Sequence, residues 1–356
     1  MKKNMFIILI ISLLFVSCQG NILDETASVT IIDALNREIR LNSYPKRIVI
    51  AGRQTPMLAN FAYLFSSASD KLIAVENRSQ SVDQFLELID KDFENKLVLE
   101  KFAGVEQIAP LEPDLVILKT SMQEEVGDLL EEIGIKVVYV SFESIEEIYR
   151  DFRILGSVFN EQEQAEIVIE YYQSVVDEIQ ARIIGTEKEL KVILIKANKS
   201  DNGITFSVPS QNWLQSSMIQ DLNASPVWIE ASPGGGWNEV NVEQIFNWAP
   251  ELLMVINYKG AAPEIVQELM DNQLWQTFFD DSDSIIVPFA YDFISWDQPD
   301  PRWILGYVWM AHRIYPGQVN ADFAQGVVQD FYKELYGISD LTIENQIFAK
   351  IENYFE

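Results

Sequence analysis

The sequence predicts an α/β protein of two lobes with mainly parallel sheets, joined by one long rigid helix. Three observations carry that prediction. The chain of 356 residues states a similar phrase twice: Gly104-Val105-Glu106-Gln107-Ile108-Ala109-Pro110-Leu111-Glu112-Pro113-Asp114-Leu115-Val116-Ile117 is echoed by Asn241-Val242-Glu243-Gln244-Ile245-Phe246-Asn247-Trp248-Ala249-Pro250-Glu251-Leu252-Leu253-Met254. Each copy reads as a short helix carrying a glutamate, then a proline, then an apolar strand. Short apolar runs of strand length alternate with helical patterns in both halves, the signature of strand–helix–strand units. Between the halves lies one unbroken amphipathic pattern.

The elements follow in order. Lys2 and Lys3 precede an apolar run from Met5 to Val16, which is too short to span a bilayer comfortably. Residues 1–17 read as a secretory signal. Phe15-Val16-Ser17-Cys18 resembles a lipobox, with Phe15 where leucine is usual, so the chain's one cysteine is expected to carry a lipid and residues 18–28 to form a tether. The N-terminal lobe is assigned to 29–159. Val29 to Leu41 is an opening hairpin turning at Asn36-Arg37. Arg47–Ala51, Leu72–Val75, Asp114–Leu118 and Val137–Val140 are strands, and Pro56 to Phe65 is a helix. Strands this apolar belong in a parallel sheet with helices on both faces, a Rossmann-like lobe.

Residues 160–185 form the connector. Ala165, Val168, Ile169, Tyr172, Val175, Val176, Ile179 and Ile183 keep helical spacing, Gly185 is a natural stop, and Asn160 with Glu163 looks like a capping box. From Glu161 to Ile184 the helix would be roughly 36 Å long. That length suits a strut between lobes; a coiled-coil dimer would need more heptads. The C-terminal lobe, 186–356, resumes the alternation with strands at Leu190–Ile195, Leu252–Ile256 and 285–287. A helix begins at Met218, and closing helices run from Trp303 to Ile314 and from Asp322 to Tyr336.

Composition narrows the function. A hydrophobic content of 48% allows sizeable cores, and a net charge of −28 argues against nucleic acid or anionic lipid as a partner. His312 is the one histidine and sits in an apolar helix, so neither a Ser-His-Asp triad nor a His-rich metal site can be built. Gly234-Gly235-Gly236-Trp237 lacks the Gly-Lys-Ser/Thr tail of a phosphate loop; it is either a flexible turn or a close backbone approach to a ligand. No Gly-x-Ser-x-Gly elbow occurs. All eight tryptophans lie between Trp213 and Trp309, so the halves are chemically unequal.

Val29 to Val49, with Asn36-Arg37 and Pro45-Lys46-Arg47-Ile48-Val49, resembles the opening of ABC-importer substrate-binding lipoproteins of the iron–siderophore and vitamin B12 group, the class III periplasmic binding proteins. Glu112-Pro113-Asp114-Leu115-Val116-Ile117, Gly134-Ile135-Lys136-Val137-Val138, the mid-chain helix, and Asp297-Gln298-Pro299-Asp300-Pro301-Arg302-Trp303 with Tyr315-Pro316 extend the likeness over nearly the whole mature chain. The resemblance implies a monomer on the outer side of a bacterial membrane, held by a lipid on Cys18, that passes a small-molecule metal complex to permease subunits. It implies that Glu106 and Glu243 dock on permease arginines, without burial cost in the free protein. With no nucleophile–base pair in the sequence, no catalysis and no cofactor are expected; direct ferric coordination by Tyr258 or Tyr291 would need several convergent oxygen ligands, so recognition of an already complexed metal, with no protein-bound metal, is the expectation.

Ligands of open parallel sheets bind beyond the carboxyl ends of the strands. Two facing lobes would bring Arg53, Arg78, Lys119 and Ser141 opposite Trp213, Gly235, Gly236, Trp237, Asn257, Tyr258, Tyr291 and Trp296. Arginine can clamp oxygen-rich anions, and aromatic rings can cover the flat parts of a chelate. Core packing is expected for Trp228, Trp248, Trp275 and Trp309. The expected cargo is a ferric siderophore-like chelate, with a corrinoid or haem as alternatives. An extracytoplasmic enzyme on the same scaffold and an adhesive surface lipoprotein are the competing classes.

Overall fold

The computed structural model describes residues 29–76, 85–186, 189–201 and 203–355. The expected signal, the expected lipidation site Cys18, the expected tether and Arg78 lie outside the described residues. Strands β1 (Val29–Ile32) and β2 (Glu38–Leu41) pair antiparallel as the opening hairpin. Its turn is held by Asp33, whose carboxylate accepts the Leu35 and Arg37 backbone N–H groups and ion-pairs with the Arg37 guanidinium at 2.8 Å. Asn36 takes the left-handed conformation there, which asparagine tolerates well.

The first sheet is wholly parallel. Strands β3 (Ile48–Ile50), β4 (Leu72–Glu76), β5 (Leu97–Leu99), β6 (Leu115–Lys119) and β7 (Val137–Val140) lie in the order β5-β4-β3-β6-β7. Side chains alternate across it. Ile48 and Ile50 enter one core while Val49 and Ala51 enter a second on the other face. Strand β5 is too short and too exposed to have been legible in sequence.

The second sheet is mixed. Strands β8 (Lys191–Ser200), β9 (Gly203–Val208), β10 (Ser225–Pro226), β11 (Asn238–Val240), β12 (Leu252–Ile256) and β13 (Ile285–Pro288) give the order β11-β9-β8-β12-β13, with β10 beside β8. Strands β8, β12 and β13 are parallel; β9 and β11 run against their neighbours. Strand β8 therefore runs five residues past the expected Ile195, into a hairpin with β9.

The connector runs from Gln162 to Ile183, 22 residues, or roughly 33 Å at the usual rise. The expected capping box is absent. Asn160 instead ends the preceding helix Ile145–Phe159 in the left-handed conformation, and Glu161 takes the N-cap place without capping through its side chain. Glu161 serves another turn: its carboxylate accepts the N–H and hydroxyl groups of Ser66 and Ser67. Gly156 lets the two helices touch, since a Cβ there would come within 2.8 Å of that of Ala165. The apolar stripe faces inward along its whole length, and Tyr172 meets Trp303 edge-on at 5.3 Å. One core cluster passes through both lobes and the connector.

Candidate ligand-binding cleft

The sheets bring polar and aromatic groups to their carboxyl ends, as open α/β sheets do. On the first lobe, β3 ends in Gly52, whose positive φ turns the chain sharply. The Gly52 and Phe102 N–H groups both donate to the Glu76 carboxylate, at 2.8 and 2.6 Å. Glu76 is buried at the end of β4, and burial raises its pKa against those hydrogen bonds. This carboxylate stitches together the loops that follow β3 and β5 and fixes where Arg53 emerges. Arg53 is exposed and lies 3.7 Å from Glu125.

Lys119 ends β6 and is buried. Its ammonium donates to the Ser141 carbonyl and ion-pairs with Glu143 at 2.8 Å, so its charge is already compensated. The Ser141 hydroxyl donates to Glu147 at 2.7 Å. The N–H groups of Ser141 and Phe142 donate to the buried Asp151 carboxylate. The turn after β7 is thus rigid and mostly self-satisfied.

The second lobe presents an aromatic wall. Trp213, Trp237 and Tyr258 are half-buried. Trp213 meets Trp237 edge-on at 5.6 Å, and Trp237 meets Tyr258 at 6.0 Å. Gly236, at positive φ, reverses the chain just before Trp237, and a Cβ on Gly235 or Gly236 would meet no atom within 4 Å. Gly235 is exposed. The Tyr258 hydroxyl donates to Asp297 at 3.0 Å, and Gln215 and Ser295 donate to the same carboxyl. Burial pushes the Asp297 carboxyl up to about 6 despite these donors. Burial also drives the Tyr258 phenol well above its ordinary value. The Asp297 charge adds to that shift, as does Glu143 from the opposite lobe.

Other expected site residues have different work. Asn257 is buried; its amide donates to the Ala197 carbonyl at 2.8 Å and its oxygen accepts the Lys259 and Ala261 N–H groups. It shapes the turn that presents Tyr258. Trp296 is fully buried against Phe355 at 6.4 Å and offers no face to a ligand. Burial is a correction to its reading from sequence, where only its position after a strand was visible. Tyr291 is half-buried and lies across the turn at Gly260, where a Cβ would be 3.3 Å from its ring. Trp228, Trp275 and Trp309 are buried as expected, and Trp248 is half-buried. His312 is buried, with Nδ1 2.7 Å from the Val319 carbonyl. Sequence reasoning passed over Lys196 and Asp297, which meet the aromatic wall only through the fold.

Among the described residues no group of three or more histidine, cysteine or acidic side chains could hold a metal ion, and no helix is long and apolar enough to cross a membrane. Glu106 and Glu243 are exposed, each the second residue of a short helix: Val105–Ile108 and Val242–Trp248. The second helix carries a complete capping box, Asn241 with Gln244. These equivalent placements are the structural form of the repeated phrase.

No curated protein matches the chain in sequence. Its fold is similar to a periplasmic solute-binding protein from Veillonella parvula (TM-score 0.71, 21% identity, 91% of this chain and 98% of that one). It is also similar to the molybdate-binding protein MolA of Haemophilus influenzae (0.66, 18%, 87% and 98%). A third is CeuE of Helicobacter pylori in a nickel–histidine complex (0.68, 17%, 89% and 98%). A family model described as periplasmic binding protein matches residues 100–278. That match spans half the sequence and runs across both lobes and the connector, and on it the chain belongs to the periplasmic binding protein family.

Proposed function

We propose that this protein captures an anionic metal chelate, a ferric siderophore-like complex, between its lobes and delivers it to an ABC permease. As a periplasmic binding protein the chain is an extracytoplasmic solute carrier for ABC import; the nature of the cargo is our reading. One observation carries it: three half-buried rings, Trp213, Trp237 and Tyr258, interlock at the ligand-binding edge of the second sheet. Half-buried aromatic rings that keep part of their surface open suit the flat organic shell of a chelate. The ligand-named relatives fit too, since MolA carries molybdate and CeuE a nickel–histidine complex.

Glu106 and Glu243 are the docking points in this reading, and a lipid on Cys18 holds the protein to its membrane as a monomer. A corrinoid or haem is the second cargo class, favoured by the same aromatic wall. Titration of tryptophan fluorescence with ferric citrate, a ferric tris-catecholate, cobalamin and haem tests the proposal. Quenching by a ferric chelate supports it, quenching by cobalamin or haem alone selects the second class, and quenching by none rejects both.

A further inference from the structure

Lys196 stands on β8 opposite Ile256 of β12 and is half-buried. Its ammonium lies 4.2 Å from the centre of the Trp237 ring and 5.9 Å from that of Tyr258. With Trp213 edge-on to Trp237, the rings stand at 79° and 72° to one another, so they form an angled box rather than a stack. Boxes of this kind attract cationic groups through the negative faces of their rings. Here the box is filled from within by the protein's own ammonium.

Among the described residues the other expected cleft cations are compensated: Lys119 by Glu143 and the Ser141 carbonyl, Arg53 by Glu125 at 3.7 Å. Among the described residues no carboxylate lies within 4.0 Å of the Lys196 ammonium. Burial lowers its pKa, and the Asp297 charge partly opposes that. In a chain of net charge −28 an ammonium is not short of possible counter-ions. A half-buried one that lacks a close carboxylate and faces an open aromatic wall has donors free for an incoming acceptor.

We propose that Lys196 is the charge selector of the cleft. It occupies the aromatic box and so excludes cationic ligand groups, and it donates to an anionic oxygen, carboxylate or phenolate, of a chelate lying against Trp237 and Trp213. This rests on the reading of the cleft as a chelate site and adds the sign of charge and the residue that sets it.

The test uses the mature protein with ferric citrate and a ferric tris-catecholate as anionic probes and choline as the cationic probe, read by tryptophan fluorescence. Wild type should bind an anionic probe and ignore choline. Lys196→Arg should keep anionic affinity within about threefold, and Lys196→Gln should lose about tenfold or more, as removal of a charge-assisted hydrogen bond does, while gaining a response to choline. Unchanged anionic affinity in folded Lys196→Gln would overturn the selector and leave the chelate site standing. A wild type that binds cobalamin or haem alone would overturn the selector and move the site to the second cargo class. A wild type that binds none of the four cargo probes removes the site itself, and the selector with it. Independently of any variant, the bound anionic probe should protect Lys196 from acetic anhydride, read by peptide mass; full labelling at saturating probe would also overturn the proposal.

Discussion

Asn60, on the first helix of the N-terminal lobe (Thr55–Ala62), donates its side-chain amide to Asp300 of the C-terminal lobe. The Tyr336 hydroxyl donates to the Asn60 carbonyl at 3.0 Å. Asp300 also binds the Arg302 guanidinium at 2.8 Å, and Asp292 lies 3.2 Å from the same group; all three side chains are fully buried. Phe85, from the first lobe, covers the guanidinium at 3.9 Å. The lobes are therefore joined through a buried ionic centre as well as by the connector.

Breaking that centre should be severe. Arg302→Ala would leave the Asp292 and Asp300 carboxylates without their shared cation in a buried setting and should cost about 3–5 kcal/mol. Asn60→Ala removes one buried hydrogen bond and should cost about 1–3 kcal/mol. Urea denaturation measures both; equal losses would show that the charge itself is not what matters.

Asp297 should give stability an unusual pH dependence. Its folded pKa of about 6 stands above its ordinary value of 3.8. Below about pH 4 both folded and unfolded chains carry the proton, and no penalty exists. As pH rises from about 4 to 6 only the unfolded chain ionises freely, so the native state loses about 3 kcal/mol, fully felt above pH 6. Asp297→Asn keeps the partners Tyr258, Gln215 and Ser295 and should be more stable than wild type at pH 7 by about that amount, with the gap closing by pH 4. A gap independent of pH would contradict the assignment.

Gly306 lies in the helix Trp303–Ile314, where alanine is normally better by about 1 kcal/mol. A Cβ there would stand 2.3 Å from the Trp296 carbonyl oxygen. Backbone cannot yield as a side chain would, so steric cost should win, and Gly306→Ala should destabilise by about 1–3 kcal/mol. A raised melting temperature would show that the Trp296 segment gives way.

Glu106→Ala with Glu243→Ala should leave ligand affinity unchanged and abolish uptake in cells, because both carboxylates are exposed on the duplicated helices. Normal uptake would end their assignment as docking points.

The parallel strands were legible because sheets covered on both faces need apolar runs, such as Leu115–Leu118 and Leu252–Ile256. The β8–β9 hairpin was not: Lys196-Ala197-Asn198-Lys199-Ser200 has no apolar alternation and is held by pairing. Asn160 was locally ambiguous, since asparagine suits both the start of a helix and a left-handed end. Trp213, Trp237 and Tyr258 could be placed from their positions near strand ends. Lys196 could not, because the rings beside it come from segments 41 and 62 residues away, 237 − 196 and 258 − 196. The stretch 289–302 is almost wholly buried yet has no helical or strand period, so neither Trp296 nor Asp297 announced its burial.

The cross-lobe bond has a consequence for how the molecule is made. Asn60 waits for a partner 240 positions further along the chain, and the aromatic core is shared by both halves. Neither half expressed alone would hold its shape, and heating should melt the two together in one cooperative step.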